Sequence, residues 1–82
     1  MSSIDHYSAE PLYQQLAGLL RRQIESGEIP AGAMLPSLRQ LTEEHDVSRV
    51  TAERAVDVLR SEGLVRGLVG RGVVVLPEAE RG

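Results

Sequence analysis

Residues 35–72 read LPSLRQLTEEHDVSRVTAERAVDVLRSEGLVRGLVGRG, and the order of start, stop and turn signals in this stretch decides the fold. Ser37 follows Pro36 and precedes Gln40 by three positions, the spacing of a capping box. In that arrangement the serine oxygen takes the amide of the third helical residue and the glutamine reaches back. A helix over Leu38 to His45 comes next, with Leu38 and Leu41 on one face. Asp46-Val47-Ser48 breaks it, and Ser48 is a good N-cap for a second helix. Ala52, Ala55, Val56 and Leu59 then fall at i, i+3, i+4 and i+7, which is one buried stripe. Gly63 suits a left-handed cap that ends the helix. Two short helices joined by a tight turn form a helix-turn-helix, whose second helix can enter a DNA major groove. The face opposite the stripe centres on Val50, Arg54 and Asp57, with Glu53 and Arg49 towards its edge. On these residues alone, an ordinary antiparallel helix pair fits as well as a DNA reader.

The residues after Gly63 separate the two. Leu64-Val65-Arg66 is a short apolar stretch, Gly67, Gly70 and Gly72 punctuate a loop carrying Arg71, and Val73-Val74-Val75-Leu76 is a β-branched strand. Two strands joined by a Gly/Arg loop make a hairpin with a basic tip. A hairpin directly after a helix-turn-helix is a winged helix, so the fold class expected is α+β, three helices plus a small antiparallel β-wing.

The PLYQQL run at Pro11 to Leu16, GEIPAGAMLPS at Gly27 to Ser37, VSR at Val47 to Arg49, EGL at Glu62 to Leu64 and GRG at Gly70 to Gly72 together resemble the DNA-binding domain of GntR-type bacterial transcription regulators. Each piece is weak, but five in order at the expected spacing are specific, and they cover about Pro11 to Leu76. The resemblance implies a winged helix-turn-helix that binds double-stranded palindromic operators as a homodimer, usually as a repressor. Such regulators normally carry an effector-sensing domain at the C-terminus, and no small-molecule effector site is visible in this chain.

The resemblance also implies three places of DNA contact: Arg39 early in the first helix of the motif, Arg49 just after the second cap, and the wing tip Gly70-Arg71-Gly72. The chemistry agrees. An arginine in the first turn of a recognition helix can donate two bonds to guanine O6 and N7, worth about 1–3 kcal/mol of discrimination. Arg71 on a glycine-flanked tip suits the negative potential of a narrow minor groove. Ser48, Thr51 and the amides that begin the helix suit a phosphate oxygen. Val50 stands where Thr is common in the family, and its methyls suit contact with a thymine methyl. Four positions after Arg49 the family often has Arg; here Glu53 stands there, followed by Arg54. Either Glu53 accepts from cytosine N4 while Arg54 takes a phosphate or base contact, or Glu53 pairs with Arg49 and Arg54 with Asp57 as surface ion pairs. The recognition helix is expected over 48–62, in the major groove, and the wing over 66–73, in the minor groove.

Composition bounds the rest. Eighty-two residues with 41% apolar and 26% charged describe one small globular domain. Cysteine is absent, which removes disulfides and thiolate chemistry. No run approaches the ~20 apolar residues of a membrane span, and MSSIDHYSAE has no signal-peptide pattern, so a cytoplasmic location is expected. The net charge of −3 runs against a nucleic-acid footprint, but residues 48–72 carry five arginines against Glu53, Asp57 and Glu62, a local net of +2. The recognition helix and wing are the basic part of an acidic molecule, which predicts weak nonspecific affinity.

Residues 1–9 show no periodicity and read as a flexible arm, 10–77 as the domain, and 78–82 as a flexible tail. Pro11 suits the first turn of a helix carrying the Leu12, Leu16, Leu19, Leu20, Ile24 stripe and ending before Gly27. That stripe reads as core, with a contribution to a dimer surface as the alternative. Arg21 and Arg22 read as solvated cations favoured by the helix dipole. Met34-Leu35 is placed for a short third strand beside the wing. His6 and His45 read as solvated or capping, Ser37 and Ser48 are used as caps, and no glycine loop for phosphates opens a helix. No enzyme, cofactor or metal site is expected. A second class of function remains open: a small protein-interaction module, an antirepressor or adaptor, using the first-helix face and the acidic Glu43, Glu44 and Asp46.

Overall fold

The computed structural model describes residues 4–81. Its elements obey the local signals in the sequence. Helix α1 spans Leu12–Glu25, α2 Leu38–His45 and α3 Arg49–Ser61; strands β1, Val65–Leu68, and β2, Gly72–Val75, form an antiparallel hairpin. The wing pairs Val65 with Val75, Arg66 with Val74, Gly67 with Val73 and Leu68 with Gly72. The architecture is a winged helix-turn-helix.

Each helix start and stop has a local cause. Pro11 sits at the N-cap of α1, just outside the first turn, with extended ψ of 142°. Its carbonyl accepts the amides of Gln14 and Gln15, both at 3.1 Å. The capping box of α2 is complete: Gln40 N donates to Ser37 Oγ at 3.1 Å and Ser37 N donates to Gln40 Oε1 at 2.8 Å. Asp46 ends α2 in the left-handed region, φ 53°. That conformation is tolerated best, after glycine, by Asn and Asp. Gly63, φ 76°, closes α3 in a Schellman turn, with Leu64 N on Leu59 O at 3.1 Å and Gly63 N on Arg60 O at 3.0 Å.

The core fills the space between α1, α2, α3 and the base of the wing. Leu16, Leu20, Leu41, Leu59 and Val75 are fully buried. Ala52 and Ala55 are buried too, and their small side chains let α3 approach its neighbours closely. Leu12 and Leu19 pack against this core, which favours the core reading of the α1 stripe over a free dimer surface.

The third strand expected at Met34-Leu35 is reduced to a single bridge, Met34 to Val74. The connector nevertheless runs along the free edge of β2 through three backbone bonds: Gly32 N to Val75 O, Val75 N to Ala33 O and Leu35 N to Val73 O, at 2.8, 2.9 and 2.8 Å. The described part of the N-terminal arm lies against the helices. Ile4 packs on the core, Asp5 N donates to Gln15 Oε1 at 2.7 Å, and His6 Nε2 lies 3.1 Å from the His45 carbonyl. His45 is itself buried rather than solvated. In the tail, Glu78–Glu80 forms one 3-10 turn and Arg81 Nε donates to the Leu76 carbonyl. Residues 1–3 and 82 lie outside the described residues.

Candidate nucleic-acid interface

The start of α2, the wing-side flank of α3 and the hairpin enclose an open groove of about 850 Å³. Arg39, Arg49, Arg60 and Arg71 all line it. Arg39, Arg49 and Arg71 are the three arginines that the family resemblance marks out; Arg54, the fourth candidate from the sequence, does not line the groove. Arg60 is not among them, although its spacing carries the signal. It follows Arg49 by eleven residues, which at about 100° per residue returns to within about 20° of the same face. Its guanidinium lies over Gly67 of β1, where an added Cβ would be 3.5 Å from Nη2.

The arginines at the two helix starts are not bare. Arg39 Nε donates to Glu43 Oε1 at 2.8 Å and Arg49 Nε to Glu53 Oε1 at 2.9 Å, both i,i+4 pairs in solvent. Exposed pairs of this kind are worth about 0.3–0.5 kcal/mol, little enough for a phosphate or a base to displace. The ion-pair reading of Glu53 and Arg49 is therefore the arrangement found. The companion pair of Arg54 with Asp57 is not: Asp57 Oδ1 lies 3.5 Å from Arg60 Nη1, and the Arg54 guanidinium stands over the Tyr13 ring, 4.1 Å from its centroid. Tyr13 reaches this position because α1 packs against α3. Nothing in the local sequence around Arg54 announces it.

At the cap of α3, Ser48 Oγ accepts the Thr51 amide at 3.1 Å and donates to Thr51 Oγ1 at 3.0 Å. Ser48 is thus occupied in both directions, and with Thr51 Oγ1 accepting from Ser48 the Thr51 hydroxyl keeps its own hydrogen to donate. Val50 is 66% exposed at the centre of the outward face. In the wing, Arg71 N donates to Leu68 O at 3.0 Å, which tightens the loop so that Val69, Gly70 and Arg71 all project into solvent.

The far end of α3 is fixed by a two-point contact that differs from the expectation for Arg21. This α1 residue, expected as a solvated cation, donates from Nε and Nη2 to the two carboxylate oxygens of Glu62 at 2.8 and 2.6 Å. This hydrogen bonding raises the Arg21 guanidinium above its ordinary pKa, against the opposing effect of desolvation. Among the described residues no group of three or more His, Cys, Asp or Glu side chains is placed to hold a metal. No helix among them is long and apolar enough to cross a membrane.

Comparison with known proteins agrees with this geometry. The sequence pattern of the family described as "Bacterial regulatory proteins, gntR family" matches residues 12–75. The HTH-type transcriptional repressor NagR of Bacillus subtilis is 38% identical over 73 residues, 89% of this chain and 30% of NagR. The chain spans between 13% and 30% of the length of the curated relatives it matches. Among solved structures, YtrA from Sulfolobus acidocaldarius, a GntR-family transcription factor, superposes with a TM-score of 0.85 at 34% identity, over 93% of this chain and 80% of YtrA. AraR(DBD) in complex with operator ORR3 superposes at 0.79 with 27% identity, over 92% of this chain and 90% of that one. With its three helices, its wing and the match over residues 12–75, this chain belongs to the gntR family of bacterial regulatory proteins.

Proposed function

We propose that this chain is a sequence-specific DNA-binding unit of a transcription regulator, a repressor, that reads a palindromic operator as a homodimer. The observation that carries the reading is the gathering of Arg39, Arg49, Arg60 and Arg71 around one open groove between the helix-turn-helix and the wing. α3 lies in the major groove with Val50, Glu53, Arg49 and Arg54 towards the bases and backbone. Thr51 and the α3 amides meet a phosphate beside the Ser48 cap, and the Gly70-Arg71-Gly72 tip enters the minor groove. Support comes from relatives named as repressors and from the AraR domain, which is similar over nearly its whole length and was solved on its operator.

Selection from a pool of random duplexes, followed by sequencing, tests this directly, with Arg49→Ala in parallel. A palindromic motif that is enriched by the wild type and lost in the variant is the expected result, and its half-site spacing gives the dimer geometry. If no motif is enriched even at low salt, the DNA reading fails, and the protein-interaction module becomes the account to pursue.

A further inference from the structure

We propose that Tyr13 is a positioning residue, holding the Arg54 guanidinium ready for a phosphate on the flank of α3 that faces away from the wing. This rests on the proposed DNA function and assigns Arg54 a phosphate rather than a base. Around α3, at about 100° per residue from Arg49, Arg60 lies near 20°, Glu53 near 40°, Val50 near 100° and Arg54 near 140°. Arg49 and Arg60 line the groove shared with the wing, whereas Arg54 turns the other way and lies on Tyr13 of α1. A major groove centred over Val50 has one backbone beside the wing-side arginines. Its other backbone passes beside Arg54.

The chemistry of the stack distinguishes Arg54 from the other arginines of α3. Arg49 and Arg60 each have a carboxylate partner, at 2.9 and 3.5 Å, which competes with a phosphate for the guanidinium and offsets part of its charge. Among the described residues Arg54 pairs with no carboxylate. A ring 4.1 Å below the guanidinium occupies its face and leaves the in-plane N–H donors at the edge unspent. The full charge is retained while the side chain loses freedom before binding, so the ordering cost is met in the free protein. On this assignment Arg54 takes the phosphate without leaving Tyr13, whereas reading a base would draw it towards Val50 and off the ring.

The test uses the full 82-residue chain and two labelled duplexes, one of mixed sequence and one carrying the selected motif, each titrated over a range of salt. Arg54→Gln should weaken both duplexes alike and reduce the salt slope by about 1. Tyr13→Leu should weaken both by about two- to five-fold with the slope retained, the range expected for an exposed cation–π contact. Tyr13→Phe should bind as the wild type, and Tyr13→Leu should add nothing to Arg54→Gln. A second measurement does not depend on any variant folding. The Arg54 δ-methylene protons should resonate upfield over the ring, and should stay upfield when the mixed duplex is added. Loss on the motif duplex alone, or the return of those resonances to their free position on DNA, overturns the proposal while leaving DNA binding intact. A loss in Tyr13→Phe equal to that in Tyr13→Leu also overturns it, because the hydroxyl would then be the contact. Failure of the wild type to bind either duplex overturns both readings.

Discussion

A single acidic residue illustrates how much backbone conformation depends on side-chain type. Asp46 ends α2 at φ 53°, where a β-branched side chain clashes with its own backbone. Asp46→Val is expected to destabilise the fold by about 1–2 kcal/mol, read as a lower midpoint in urea with an unchanged m value. Glu53 makes the second residue-level prediction. As a partner of Arg49 it competes with DNA for that guanidinium, so Glu53→Gln should raise affinity for mixed-sequence duplex by about two-fold. If Glu53 instead reads cytosine N4, the same change weakens the selected motif and leaves mixed DNA nearly unaffected. Fluorescence anisotropy on the two duplexes separates these outcomes.

At the level of elements, the ends of helices are legible because their signals are local. Ser37 with Gln40, Ser48 and Gly63 each act within a few residues of themselves, and each stands where the spacing places it. The wing is legible from Gly70, Gly72 and the valine run for the same reason. Contacts between elements are not. Tyr13 with Arg54 joins positions 41 apart, Arg21 with Glu62 the same separation, and His6 with His45 joins positions 39 apart. No periodicity encodes such pairs; the first two exist only once α1 is laid against α3, and the third only once the N-terminal arm reaches the end of α2. The Arg21–Glu62 fork is the one that fixes the C-terminal end of α3. Both side chains remain about one-third exposed, so the pair is screened, and a double-mutant cycle with Arg21→Ala and Glu62→Ala should return a coupling of about 0.5–1 kcal/mol. A coupling near zero would mean that apolar packing alone holds α3 in place.

For the molecule as a whole, charge distribution outweighs net charge. A chain of net −3 approaches a polyanion only through the side where α3 and the wing collect their arginines. Few phosphates can then be neutralised, and the slope of log Kobs against log salt should be about −3 to −5 per protomer. A slope near zero would place the arginines of the groove away from DNA. The acidic remainder should also hold nonspecific affinity down, leaving specific binding to depend on base contacts and, on the proposed reading, on a second protomer.

The connector that borders β2 has a further consequence. Its three backbone bonds tie Gly32, Ala33 and Leu35 to the wing, and two residues later the chain enters the capping box from which Arg39 projects. The distance from the tip of the hairpin to the start of α2 is therefore set by main-chain geometry, like the gap between two prongs cut from one plate. On the proposed reading, a fork tied at its base in this way resists spreading, so the duplex adjusts to it. Steps that widen, narrow or bend at low cost would be favoured at positions no side chain touches. Part of the operator would then be chosen by the stiffness of DNA.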